Sequence, residues 1–229
     1  MTPHEHEHAH GHHGEAAEDS PRILLFYDYA CPFCYVDQFR FDRLNEEFDG
    51  LDIVLIPFEL RPDMPEEGYR MSEIEAEGHS SHVEEHLLRV ASKDGIPMQM
   101  PPFLPKTHRA ITMAELARDR GVAEHHKMHR AIFGAYFAEG LDIGSPEVLL
   151  AIAREQGLDV AEVEAVWAEG RYDDRVHEFR HVAMGLGLDA TPAALICSEL
   201  LIGSRPYQIF KDSIERCLEG RQSGEAQDG

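Results

Sequence analysis

The 229-residue sequence is sparing with several residue types, and each scarcity excludes something. Only four cysteines occur, so beyond one C-x-x-C there is no second such motif to complete a zinc site. Only four lysines (Lys93, Lys106, Lys127 and Lys211) occur, and 21 Lys+Arg in all face 43 Asp+Glu, a formal charge of −22. Such a surface repels nucleic acid and anionic lipid, so neither is expected as a partner. No apolar run is long enough to span a bilayer, and the N-terminus lacks the basic start and apolar centre of a secretory signal. The expectation is a cytoplasmic protein that does not enter a membrane. Hydrophobic residues make up 43% of the chain, enough to build a sizeable core in one domain, or in one domain carrying a large insertion.

What is present is organised around Cys31-Pro32-Phe33-Cys34. The run Ile23 to Tyr29 before it reads as a buried strand, and the stretch after it repeats apolar residues at Val36, Phe39, Phe41, Leu44 and Phe48, as an amphipathic helix does. At a strand-to-helix junction the first cysteine meets unpaired amides and the positive end of the helix dipole, which stabilise a thiolate. The second cysteine follows one turn later and can close a disulfide with the first. Pro32 suits the first helical turn, where its missing N–H would have been unpaired anyway. Phe33 brings neither a hydrogen bond nor a positive charge to the thiolate. A C-x-x-C can also be half of a zinc site, but the only other cysteines, Cys197 and Cys217, do not form a second one. Redox chemistry at Cys31 and Cys34 is the favoured reading. In a reducing compartment their disulfide is transient and catalytic.

In chain order, residues 1–20 form a polar, disordered lead with His4, His6, His8, His10, His12 and His13 among glutamates. Imidazoles at that density can hold Zn, Ni or Cu adventitiously. Residues 21–62 read as strand, helix and strand, with Asp49-Gly50 ending the helix and Ile53 to Ile56 forming the second strand. From 63 to 172 no convincing strand emerges. Helices are expected over Ser81–Ser92, Thr107–Arg120 and Ala123–Glu139, then one capped by Ser145 with Pro146 at its first position, then a short one opened by Asp159. Histidines cluster at His79, His82 and His86, at His125, His126 and His129, and at His177 and His181; each cluster reads as solvated surface before it reads as a metal set. Residues 173–219 return to the α/β pattern: a helix, a hairpin of Ala193–Cys197 and Leu200–Gly203 turning at Ser198-Glu199, and a last helix from Pro206 to about Leu218. Residues 220–229 read as a disordered tail. Thr191-Pro192 stands directly before the hairpin, where proline shapes a turn and a cis bond is accessible. Cys197 and Cys217 read first as buried inert thiols, with an auxiliary redox pair as the alternative.

C-P-F-C after a strand, P-F-E-L-R-P after the second strand, F-G-A-Y-F-A-E-G followed by D-I-G-S-P-E-V-L, and T-P before a final hairpin together resemble the DsbA family, in particular its FrnE-like cytoplasmic branch. The resemblance covers Ile23 to Leu218. It implies a thioredoxin-like α/β fold with a helical insertion domain between the βαβ half and the ββα half. It also implies Cys31 as nucleophile, Cys34 as resolving cysteine, Pro192 in cis beside them, and Thr191 offering backbone groups to the substrate. The activity implied is thiol–disulfide exchange, without an obligatory cofactor, on a disulfide- or dithiol-bearing protein or a low-molecular-weight thiol; a second copy of the chain is admitted as a partner. Pro-Phe inside the motif, in place of the Pro-His of the periplasmic oxidants, leaves the balance among reductant, isomerase and oxidant open. Thr191 and Ala193 stand where Val and Thr are common. Two alternatives are a glutathione-linked transferase or isomerase of the kappa-class or hydroxychromene carboxylate type, against which Cys31 argues, and a His-rich metal-binding protein.

Overall fold

The computed structural model describes residues 20–48, 50–72 and 81–225. Its first unit is β1 (Arg22–Tyr27), α1 (Pro32–Glu47) and β2 (Asp52–Pro57), with β1 and β2 parallel and paired in register from Arg22↔Asp52 to Tyr27↔Pro57. Gly50 takes φ 102° at the turn into β2, a conformation closed to most side chains.

The chain then leaves the sheet. It passes through β3 (Tyr69–Arg70), α2 (Ser81–Lys93), β4 (Phe103–Leu104), α3 (His108–Arg118), α4 (Val122–Phe133), a π-helical turn (Gly134–Ala138), α5 (Pro146–Glu155) and α6 (Val160–Glu169). It returns through α7 (Asp173–Gly185), β5 (Ala193–Ile196), β6 (Glu199–Ile202) and α8 (Tyr207–Glu225). The main sheet has the order β2-β1-β5-β6, with β5 antiparallel to both β1 and β6. This is a mixed α/β, thioredoxin-like fold in which helices interrupt the chain between its βαβ and ββα halves.

Four details depart from the sequence expectations. Tyr69–Arg70 and Phe103–Leu104 form a two-stranded antiparallel ladder inside the segment expected to hold no strand. Two residues per strand are too few to leave an alternation in the sequence. The expected helix to Glu139 changes hand-hold at Gly134, where a π-turn adds a residue and allows Ala135, Tyr136 and Phe137 all to be buried. The final hairpin turns at Cys197-Ser198, one residue earlier than expected, with Cys197 at φ 53°. The last helix continues to Glu225, through part of the expected tail. The histidines from His4 to His13, and His79, lie outside the described residues.

The capping reasons given by sequence operate where expected. The Ser145 side chain accepts from the Val148 N–H at 3.4 Å with Pro146 at the first helical position, and Asp159 accepts from the Ala161 N–H at 3.0 Å.

Both faces of the sheet are covered. On one, Ile23, Tyr27, Ile53, Leu55, Ala194 and Ile196 share a single apolar cluster with α1, α8 and the interrupting helices. On the other, Phe26, Phe58 and Ala193 pack with Ala183 of α7 and with Leu188. Because the cluster runs without a break from α1 into α3, α4 and α5, the helices that leave the sheet are held against it by burial of apolar surface.

The register fixes where chemistry can occur. Phe26 pairs with Ala193, so the end of β1, the end of β2 and the start of β5 meet at one edge of the sheet. Cys31, the segment Phe58–Leu60 and Thr191-Pro192 all leave from that edge.

Candidate active site

Cys31 is the N-cap of α1, with extended backbone (φ −90°, ψ 109°), and Pro32 occupies the first helical turn. Its carbonyl accepts from the Cys34 N–H at 3.1 Å, and its own N–H donates to the Asp28 carbonyl at 3.0 Å. Cys31 and Cys34 are both free thiols and both buried, at 5% exposure each. Phe33 between them is half-buried against the core. The peptide bond between Thr191 and Pro192 is cis, as the resemblance implies. It presents the Thr191 carbonyl to the site, where the Cys31 thiol donates to it at 3.4 Å.

The two sulfurs differ in acidity for identifiable reasons. For Cys31, burial opposes ionisation, but hydrogen bonds from the Cys34 thiol, the Thr191 side chain and the Cys34 N–H outweigh it and bring the pKa below the ordinary thiol value. For Cys34, burial and the neighbouring Cys31 both act the other way and hold its thiol well above that value. One sulfur is poised to be a thiolate and the other to remain a thiol. This is the asymmetry that ordered attack and resolution require.

Asp28, three residues before Cys31, is fully engaged below the site. Its carboxylate accepts from the Ala30 N–H at 2.8 Å and the Leu60 N–H at 2.6 Å, and the Thr107 side chain bonds it as well. It therefore ties the Cys31 loop to the exit from β2 and to the start of α3. Asp37, one turn beyond Cys34, is also buried; it accepts from the Ser204 hydroxyl at 2.6 Å and from Arg40 at 2.8 Å. Neither acid was singled out from the sequence. The only signal for Asp37 was a carboxylate at helical spacing from Cys34 on an otherwise apolar face.

The other sequence candidates go elsewhere. Cys197 and Cys217 are joined in a disulfide, with Cα atoms 6.2 Å apart, which overturns the reading of two inert thiols. Cys197 is exposed in the hairpin turn, and its N–H donates to the Arg22 carbonyl at the start of β1. It lies at the opposite end of β5 from Pro192, roughly 17 Å along the strand at about 3.3 Å per residue, beyond the reach of direct exchange with Cys31. Of the histidines read as solvated, His125 and His129 are buried instead, at 2% and 4% exposure. The ring of His129 sits edge-on to Tyr27 at 4.4 Å and to Phe133 at 4.8 Å, so α4 packs on β1 through an imidazole that burial keeps neutral. His126 makes a 3.0 Å contact with the Ile53 carbonyl. His177 and His181 are exposed. Among the described residues no group of three or more His, Cys, Asp or Glu side chains is placed to hold a metal ion.

A buried cysteine pair at a helix N-terminus, faced by a cis-proline on a thioredoxin-like sheet, defines the class of DsbA-like thiol–disulfide oxidoreductases. The chain belongs to the family of the DSBA-like thioredoxin domain, which it matches over residues 22–215. It is 24% identical over 193 residues, 84% of this chain and 94% of the other, to the uncharacterized protein YwbO of Bacillus subtilis. Among solved structures it is similar to a probable DsbA oxidoreductase from Streptomyces coelicolor, with TM-score 0.79 and 25% identity over 87% of this chain and 90% of that one. A 2-hydroxychromene-2-carboxylate isomerase shares the fold, with TM-score 0.70 and 20% identity over 90% of this chain and 98% of that one. Among the described residues no helix is long and apolar enough to cross a membrane.

Proposed function

We propose that the protein exchanges disulfides through Cys31 and Cys34, with a peptide or a low-molecular-weight disulfide or dithiol as its partner. The Cys31 thiolate attacks a substrate sulfur, forms a mixed disulfide and expels one substrate thiolate. Cys34 then attacks Cys31, breaks the mixed disulfide and releases the second thiol; the reverse sequence oxidises a dithiol. The carrying observation is the opposed acidity of the two buried sulfurs beside the Thr191 carbonyl. Substituting Cys31→Ser is expected to abolish the protein's acceleration of insulin reduction by dithiothreitol, leaving the uncatalysed rate; retained acceleration would defeat the assignment.

The FrnE-like cytoplasmic branch is the more specific reading, supported by the Pro-Phe motif and by the run from Gly134 into Pro146. A 2-hydroxychromene-2-carboxylate isomerase has a similar backbone, which keeps a glutathione-linked isomerase as the second reading. Cys34 distinguishes the two chemistries, because exchange needs a second thiol to release the mixed disulfide and conjugation to glutathione does not. The Cys34→Ser protein is therefore expected to stall as a covalent adduct with its substrate, visible as a mass increase that reductant removes.

A further inference from the structure

One face of α1 is built against the usual pattern for a helix lying on a sheet. Asp37, Gln38, Phe41, Asp42, Asn45 and Glu46 recur at helical spacing, so they share a face, and all of them line one cavity of about 1160 Å³. A face turned to a core is ordinarily apolar; this one is mostly polar. The facing walls come from the sheet, through Leu25, Ile53, Leu55 and Ala194, and from α4, through Ala123 and His129. The space is at least as large as the sites of roughly 300–1,000 Å³ that hold small molecules.

Three buried polar atoms of residues bordering this cavity have no hydrogen-bond partner: Asp37 Oδ2, Gln38 Oε1 and His129 Nδ1. Asp37 and His129 are each only 4% exposed. The two oxygens can only accept, so whatever satisfies them must bring donors.

Charge narrows the choice. Asp37, Asp42, Glu46 and Asp52 border the cavity against the single guanidinium of Arg130, while Arg40 and Arg22, which pair with Asp37 and Asp52, stand outside its lining. An anion is repelled there, and a purely apolar ligand leaves the buried acceptors unpaired. A metal ion does not fit either, since among the described residues no group of three or more His, Cys, Asp or Glu is placed to hold one. An ammonium group does fit, because it carries three donors and no acceptor.

The spacing of the carboxylates calls for two such groups. Asp37 is buried, Asp42 is half-buried and Glu46 is exposed, so this face of α1 runs from the interior to the mouth. Asp42 lies five residues beyond Asp37, roughly 7.5 Å along the helix at about 1.5 Å per residue, and Glu46 stands one turn further out. Asp42 gives one oxygen to Arg130 at 3.2 Å, which leaves its other oxygen for a second cation. Phe41, Leu25, Ile53 and Leu55 supply apolar wall suited to methylene groups.

We propose that this cavity binds a linear aliphatic diamine, with one ammonium group at Asp37 Oδ2 and Gln38 Oε1 and the other at Asp42 and Glu46. The site lies on the inner side of Cys34 and is distinct from the face on which Cys31 meets the Thr191 carbonyl. Recognition there uses no sulfur chemistry, so it is measured without turnover.

Titrating the full-length protein with 1,5-diaminopentane in a calorimeter, at 0.15 M salt to screen loose attraction to the acidic surface, tests the site. One saturable site is expected. Pentane-1,5-diol, of the same length without charge, should give no measurable binding. D37N should weaken the diamine at least about tenfold, the loss expected when a hydrogen bond to a charged group is removed. No saturable binding to the native protein, equal binding of the diol, or unchanged affinity in D37N overturns the proposal, the last because attraction to surface carboxylates would survive that substitution. Should D37N fold poorly, A123W carries the test. Ala123 is an exposed residue of the lining, so a bulky ring there obstructs the cavity without entering the core, and the diamine is expected to lose at least about tenfold in affinity. Native affinity in A123W overturns the proposal.

Discussion

The Cys31 sulfur lies 3.4 Å from the carbonyl oxygen of Thr191, across 160 positions of sequence. The contact exists because β5 pairs with β1 in a register that brings the start of one strand to the end of the other. It makes Thr191 part of the environment that sets the acidity of Cys31. Its backbone carbonyl faces Cys31, and its buried hydroxyl, which has no other hydrogen-bond partner, is left to serve a sulfur that becomes negative.

Removing that hydroxyl while keeping the shape tests this role. Thr191→Val leaves the carbonyl and the branched side chain in place, so the fold is expected to be unchanged. The Cys31 pKa is expected to rise, leaving less thiolate at a fixed pH below it. Titrating the ultraviolet absorbance of the thiolate against pH reads the shift directly. An unchanged or lowered pKa would mean that the hydroxyl contributes nothing to holding the charge.

The Cys197–Cys217 disulfide joins the β5–β6 turn to α8 and closes a loop with a sequence separation of 20. A cross-link of that span removes unfolded-state freedom worth about 3 kcal/mol in the chain-entropy account. Cys217→Ser is therefore expected to lower the urea midpoint while leaving reduction of insulin within about twofold of native, since a surface change away from the site alters little. A large loss of activity in a protein that is still folded would show that the second pair communicates with Cys31, as an auxiliary redox pair would, despite its place at the far end of the strand.

How far the sequence could be read follows from how far apart its partners are. Cys31, Pro32 and Cys34 announce themselves because the motif, the strand before it and the helix after it are contiguous. The helix starts at Ser145 and Asp159 are equally local. Pro192 was visible as a proline ahead of a strand, and its cis bond came only with the family resemblance. Asp28, Asp37 and His129 were not legible as site residues, because each has the composition of an ordinary surface group. What buries them is contributed by other elements: the exit from β2 for Asp28, the loop before α8 for Asp37, and Tyr27 of β1 for His129. The disulfide was missed for the same reason. Neither cysteine reports, within its own segment, that the turn between β5 and β6 lies against the late part of α8.

His108 carries the last prediction, and it concerns the joint between the sheet and the helices that interrupt it. His108 begins α3, yet its ring lies between Glu59, just past β2, at 2.9 Å and Asp173, the first residue of α7, at 3.0 Å. It thus bridges the point where the chain leaves the sheet and the point where it returns. The hydrogen bond to Glu59 is the largest influence on it; with the bond to Asp173 it outweighs burial and raises the imidazole from 6.5 to about 9. The folded state therefore holds this proton more tightly than the unfolded chain. The resulting stabilisation is complete below about pH 6.5 and is lost as pH rises through 9. Replacing the ring also strands Glu59, which is 2% exposed and has one carboxylate oxygen already without a partner. His108→Gln is expected to cost about 1–2 kcal/mol at pH 6, a figure discounted because solvent screens a ring that keeps part of its surface exposed. The gap between variant and native protein should narrow above pH 9, where the native imidazole also gives up its charge. Urea unfolding of both proteins across that range measures it, and a gap that stays constant with pH would show that His108 joins the two crossings by packing alone.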